Sequence, residues 1–235
     1  MIRNLLFHCY PLKSNPSFWP WHVDQLLKYK SVWNGRRIVV LVLDHMTDLE
    51  PMVREKFAPL EAEIFVRLNH RHLHETTHFL EIFGKLESLR EDEATFYAHA
   101  KGVSHQRYQT PNVNLPGIER WCRALYQLNL SRPELVDRLL EKYAAVGAFR
   151  NVIKHADTTW LYSGTFFWIK HSVIFSRNWL DIFNERFGVE GYPGRHLKLD
   201  ETFALPPEEI TANLLYDGYV TDERILGWQK ELEAL

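Results

Sequence analysis

The strongest apolar run is Ile38-Val39-Val40-Leu41-Val42-Leu43. It lacks polar alternation, which predicts a strand buried on both faces, as in a parallel sheet. Residues 5–10 form a second apolar run, stopped by Pro11, and read as a buried strand that ends in a turn. Within residues 19–30, Trp19, Val23, Leu26 and Leu27 recur at helical spacing, and Pro20 suits a first helical turn. Residues 64–66 form a weaker strand. The stretch 75–89 predicts a helix with Phe79, Ile82, Phe83 and Leu86 on one face. A strand over 94–99 follows, ending at Lys101-Gly102, and a Pro/Asn/Gly-containing loop over 103–117. Helices are predicted over 118–130 and 133–143, and strands over 146–149 and 161–169.

Strand, helix, strand, helix through the first part of the chain predicts an α/β fold with a mostly parallel sheet. Such sheets bind ligands beyond the carboxyl ends of their strands. Tyr10, Pro11, Asp44, Asn69, His99 and Lys101 all fall at predicted strand ends, where polar turn residues must also appear. Asp44 could accept hydrogen bonds from a nucleobase or ribose, and Thr47 with Asp48 could cap the next helix. At 235 residues the chain is near the upper limit for one hydrophobic core. One domain over 1–200 is expected, with a helical or looped extension over 201–235 packed on it.

Charge narrows the partners. Lys+Arg total 28 against Asp+Glu 30, a net charge of −2, which argues against a nucleic-acid-binding domain. Cys9 and Cys122 are too few and too far apart for a disulfide framework or a thiolate zinc site. The first ten residues do not read as a signal peptide, and no run approaches the ~20 apolar residues of a membrane span. A cytoplasmic protein is expected. Aromatics reach 14%, including 8 Trp, and there are 12 His; most of those rings belong to a core.

Four segments could carry chemistry. His74-Glu75-Thr76-Thr77-His78 matches H-E-x-x-H, in which two histidines one helical turn apart hold zinc and the Glu activates water. A zinc-dependent hydrolase is therefore one alternative; a solvated, His-rich helix start is the other. The segment from Phe96 to Val103 ends a strand in His99, Lys101 and Gly102, a place where an ammonium beside a turn could hold a diphosphate. In 160–170, aromatics surround Ser163-Gly164-Thr165, and Tyr162, Ser163 and Gly164 are the candidates there for binding a sugar. Glu190, in the glycine-rich stretch 188–195 read as a turn, is the preferred general base.

Four stretches together resemble a family of bacterial glycosyltransferase-like proteins. They are Phe96-Tyr97-Ala98-His99-Ala100-Lys101-Gly102-Val103, Trp121-Cys122-Arg123, Val146-Gly147-Ala148 and Tyr162-Ser163-Gly164-Thr165-Phe166-Phe167-Trp168. The family carries a Tyr-x-His-x-Lys-Gly segment, a later Ser-Gly-x-Phe-x-Trp-like segment, and an acidic residue beyond, where Glu190 falls. Glu75-Thr76-Thr77 is similar to its Glu-Thr step at the start of the third helix, and the likeness runs over residues 5–195.

The resemblance implies a GT-A-like fold and transfer of a sugar from a UDP- or GDP-sugar donor to a glycan or related hydroxyl acceptor. Tyr10, Pro11, Asp44, His99 and Lys101 would bind the donor. Tyr162, Ser163, Gly164 and Thr165 would line the sugar or acceptor side, and Glu190 would be the base. GT-A enzymes usually carry Asp-x-Asp to hold Mn²⁺ or Mg²⁺ on the diphosphate. No Asp-x-Asp occurs here, and His99-Ala100-Lys101 takes its place. Three alternatives follow: Lys101 with a nearby Arg or His offsets the charge, the metal ligands lie elsewhere, or the chain no longer catalyses transfer. In the last case it is a non-catalytic carbohydrate-binding module.

Overall fold

The computed structural model describes residues 1–12, 18–44, 49–70, 72–103, 115–155, 158–206 and 218–235. His45, Met46, Thr47 and Asp48 lie outside them, as does most of the loop expected over 103–117.

The fold is α/β and Rossmann-like. Its strands are β1 (Ile2–Cys9), β2 (Arg37–Leu43), β3 (Glu63–Leu68), β4 (Glu93–His99), β5 (Ala145–Ala148), β6 (Arg150–His155), β7 (Thr158–Tyr162), β8 (Phe167–Lys170) and β9 (Thr202–Leu205). Seven of them form one sheet in the order β3-β2-β1-β4-β8-β5-β9. Only β8 runs antiparallel to its neighbours. The chain winds outward from β1 through β2 to β3, then returns to place β4 on the other flank of β1. The gap between the carboxyl ends of β1 and β4 is therefore a topological switch point, where such sheets bind ligands.

The helices are α1 (Phe18–Lys28), α2 (Leu49–Phe57), α3 (Thr76–Phe83), α4 (Leu115–Leu130), α5 (Pro133–Lys142), α6 (His171–Ile174), α7 (Gly188–His196) and α8 (Asp222–Glu233). They cover both faces of the sheet, so side chains of β2 alternate between two cores. Val39, Leu41 and Leu43 join one with Trp33, Phe57, Trp121 and Trp168. Ile38, Val40 and Val42 join the other with Phe79, Phe83, Phe167 and Tyr192. This accounts for the unbroken apolar run. Among the described residues no helix is long and apolar enough to cross a membrane.

Four expectations change. The helix expected over 75–89 begins only at Thr76 and gives way after Phe83 to a 3₁₀ turn, Gly84–Leu86. The strand expected over 161–169 is cut at Ser163-Gly164-Thr165-Phe166 into β7 and β8, which belong to different sheets. Gly164 (φ +96°) and Thr165 (φ +62°) turn the chain there. The glycine-rich "turn" at 188–195 is helix α7. Its glycines permit close packing: a Cβ on Gly194 would stand 2.0 Å from the Trp160 carbonyl oxygen of β7, and one on Gly188 would stand 2.3 Å from that of Phe183. Finally, β9 pairs in register with β5, so residues 202–205 belong to the central sheet and not to an extension. Beyond it, Ile225, Trp228 and Leu232 of α8 pack into the first core.

Candidate functional site

A cavity of about 360 Å³ opens at the switch point. Its wall takes His8 and Tyr10 from the end of β1 and His99, Lys101 and Gly102 from the end of β4. Asn69, His74 and Glu75 come from the segment between β3 and α3, Trp121 from α4, Thr165 from the β7–β8 turn, and Arg186, Phe187 and Glu190 from the start of α7. A second, more open hollow beside β9 gathers Tyr143, Arg150 and Phe203. The Arg150 guanidinium there is committed to the carbonyls of Leu199 and Thr202.

Lys101 is set from behind. His22, fully buried, donates from Nε2 to the Lys101 carbonyl at 2.9 Å and accepts the Tyr126 hydroxyl at Nδ1, also at 2.9 Å. The next residue, Gly102, has φ +87°, and a Cβ there would meet Phe18 and Ile118 at 2.8 Å. The Lys101 ammonium lies 4.2 Å from the centre of the Trp121 ring, a cation–π contact between two residues that both line the cavity.

The four residues Tyr162 to Thr165, at the end of β7 and in the turn to β8, do not behave alike. Gly164 is a junction: its carbonyl accepts His99 Nε2 at 3.1 Å, and its N–H donates to Glu190 Oε1 at 3.2 Å. Thr165 reaches the cavity wall. Tyr162 and Ser163 do not; they are 0% and 1% exposed. The Tyr162 hydroxyl donates inward to the Phe203 carbonyl at 2.9 Å. These two are core residues that hold the turn, which corrects their assignment as sugar contacts. Pro11 is likewise buried and ends β1 without lining the cavity.

Asp44 stands beside the cavity and organises two residues that do line it. Its Oδ2 accepts the Tyr10 hydroxyl at 2.6 Å, and its Oδ1 accepts Asn69 Nδ2 at 2.8 Å.

The acid–base groups are strongly perturbed. Because His99 Nε2 donates to Gly164, its Nδ1 faces Glu75 Oε1, 3.6 Å away. This contact is no ion pair, since burial, then Lys101, hold His99 neutral, well below the usual imidazole range. Burial lowers His8 to about 3, with His78 and His74 adding to the effect. Glu75 is pushed up to about 7, first by burial and then by the charge of Glu190, against the pull of its own backbone hydrogen bond, Lys101 and Arg186.

The H-E-x-x-H match does not build a zinc helix. His74 has φ +47° and precedes α3, so His74 and His78 are not one turn apart on a helix face. His78 donates from Nε2 to the Leu68 carbonyl at 2.8 Å. The cavity suits a divalent cation no better. Lys101 stands where Asp-x-Asp is absent, and no three His, Cys, Asp or Glu side chains converge as ligands among the described residues.

The sequence had marked Tyr10, Asn69, His99, Lys101, Thr165 and Glu190, which the fold brings to one cavity. His74 enters the sequence reading through the zinc match, and Glu75 through that match and the Glu-Thr step at a helix start, while His8, Arg186 and Phe187 carry no signal there. His8 lies inside an apolar strand pattern; Arg186 and Phe187 precede a helix that had been read as a turn. No family model matches the chain, and no curated protein sequence matches it.

Proposed function

We propose that this protein is a GT-A-like glycosyltransferase, moving a sugar from a UDP- or GDP-sugar to a hydroxyl of a glycan or related acceptor. The observation that carries the reading is the meeting of Tyr10, His99, Lys101, Thr165 and Glu190 in one cavity at the β1/β4 switch point. These five residues come from four separate stretches of the chain: His99, Lys101, Thr165 and Glu190 lie in the segments that carry the family resemblance, and Tyr10 at a strand end marked by the sheet pattern.

The roles follow from position. Tyr10 and Asn69, fixed by Asp44, form the nucleoside end. Lys101 and Arg186 supply the positive charge for the diphosphate. Phe187, 52% exposed at the rim, offers a ring face to a sugar. In the transfer, Glu190 takes the proton of the acceptor hydroxyl and the freed oxygen bonds to the anomeric carbon. The bond from that carbon to the diphosphate oxygen breaks, and Lys101 and Arg186 stabilise the departing charge. No step is routed through a metal ion, because the residues present do not fit one.

The test is a thermal-shift titration with UDP-glucose and GDP-mannose, with and without Mn²⁺. At least one should raise the melting temperature of the wild type without Mn²⁺, and Asp44→Ala should abolish the rise. No shift at millimolar concentration with either would overturn the reading. Glycan binding without nucleotide binding would instead mark a carbohydrate-binding module.

A further inference from the structure

Among the described residues, Glu75 is the one carboxyl lining the cavity that the proposed transfer leaves without a task. It is 18% exposed, sits immediately before α3, and directs Oε1 toward His99 Nδ1 at 3.6 Å. Its charged and titratable surroundings come from several elements. Tyr97, His99 and Lys101 face it from β4 and the turn beyond, Arg186 and Glu190 from the start of α7, and His74 from its own segment. The neighbouring carboxylate, Glu190, is held in place by the Gly164 N–H at 3.2 Å.

A ligand bearing two phosphates, seated against Lys101 and Arg186, would cancel the two cations that favour an ionised Glu75. It would also exclude water and add negative charge beside the carboxyl. All three changes favour the protonated acid. The proton comes from solvent, and the resulting O–H can point to a phosphate oxygen instead of repelling it.

We propose that the cavity takes the diphosphate of its ligand between Lys101 and Arg186 and that Glu75 gains one proton as it does so, donating from its carboxyl to a phosphate oxygen. This rests on the glycosyl-transfer reading above. Glu75 is thereby a ligand-binding residue, which makes donor affinity fall as the solution becomes alkaline.

The experiment is isothermal titration of the whole protein with UDP-glucose and GDP-mannose in two buffers of different ionisation enthalpy. Both phosphates of these probes are diesters and exchange no proton near neutral pH. At pH 8, binding should take up close to one proton, and at pH 5.5 almost none. Affinity should weaken by up to about tenfold per pH unit above neutrality. Glu75→Gln should still bind, with no proton uptake and a flat pH dependence. Uptake at pH 8 that persists in Glu75→Gln would overturn the proposal by assigning the proton to His74 or another group. Binding by wild type without uptake would overturn it while leaving the transferase reading intact; failure of both probes to bind would remove both. Should Glu75→Gln not fold, the wild-type slope decides, and a flat one overturns the proposal.

Discussion

Glu190 Oε1 accepts the backbone N–H of Gly164 at 3.2 Å, tying the first turn of α7 to the turn between β7 and β8. The bond leaves the second carboxylate oxygen to the cavity and fixes where it points. Glu190→Gln keeps an oxygen for Gly164 but cannot accept a proton. Its turnover of nucleotide sugar should fall roughly 10²–10⁴-fold, the range of a lost general base, while the melting temperature stays near that of wild type. Glu190→Ala loses both functions and should lower both. Equal activity in Glu190→Gln and wild type would remove Glu190 as the base.

Helix α7 lies against β7 because it has glycine where the strand backbone passes. A methyl at Gly194 would stand 2.0 Å from the Trp160 oxygen and 2.2 Å from Thr158 Oγ1, and the strand cannot yield without breaking its pairing with β6. Gly194→Ala should destabilise by about 1–3 kcal/mol in urea denaturation. It should also depress turnover, since the displaced helix carries Glu190. Gly227, inside α8, is the contrasting case: a Cβ there meets nothing within 4 Å. Gly227→Ala should stabilise by roughly 0.5–1 kcal/mol.

The same contrast explains what could be read in advance. The run at 38–43 announces a doubly buried strand, and Phe79, Ile82 and Phe83 announce a helix face, because burial on a regular lattice leaves a period in the sequence. Strand ends could then be located, and with them Tyr10, Asn69, His99 and Lys101. Gly188, Gly191 and Gly194 misled for a physical reason. Three glycines and Pro193 lower local helix propensity, yet tight packing on β7 and α3 outweighs it. Tyr162 and Ser163 misled because an aromatic beside Ser-Gly looks the same whether it faces a ligand or the core. Glu75, Arg186 and His8 meet only through non-local contacts, which no periodicity records.

His22 links the core to Lys101 and stays neutral in the fold. Burial brings it to about 3, against an ordinary value of 6.5. The folded value lies below the unfolded one, so the stability this provides is complete above pH 6.5 and is lost as pH falls toward 3. His8, at about 3, has the same sign. Between pH 7 and pH 4.5 each should cost the fold roughly 2–3 kcal/mol. His22→Gln should flatten the acid limb of a urea-denaturation profile and raise the donor KM more than it lowers kcat, because the Lys101 carbonyl loses its brace. An acid limb as steep as wild type would show that His22 titrates normally.

Glu75 reverses that sign. Its carboxyl ionises near 4.5 in the unfolded chain and at about 7 in the fold. Between those values the folded state binds the extra proton, so stability declines as pH rises through the window and levels off above about 7. The ionised, buried carboxylate then costs roughly 3 kcal/mol that a neutral isostere does not. Glu75→Gln should therefore be more stable than wild type at pH 8, by up to that amount, and the two should converge below pH 4.5. Denaturant midpoints at pH 4.5 and pH 8 measure both ends. A stability gap that fails to widen toward alkaline pH would show that water or a neighbouring cation already compensates the charge. A widening gap, set beside weaker donor binding in wild type above neutrality, would identify one carboxyl as the cause of both. The fold would then be holding a destabilised group at the place where the ligand is expected.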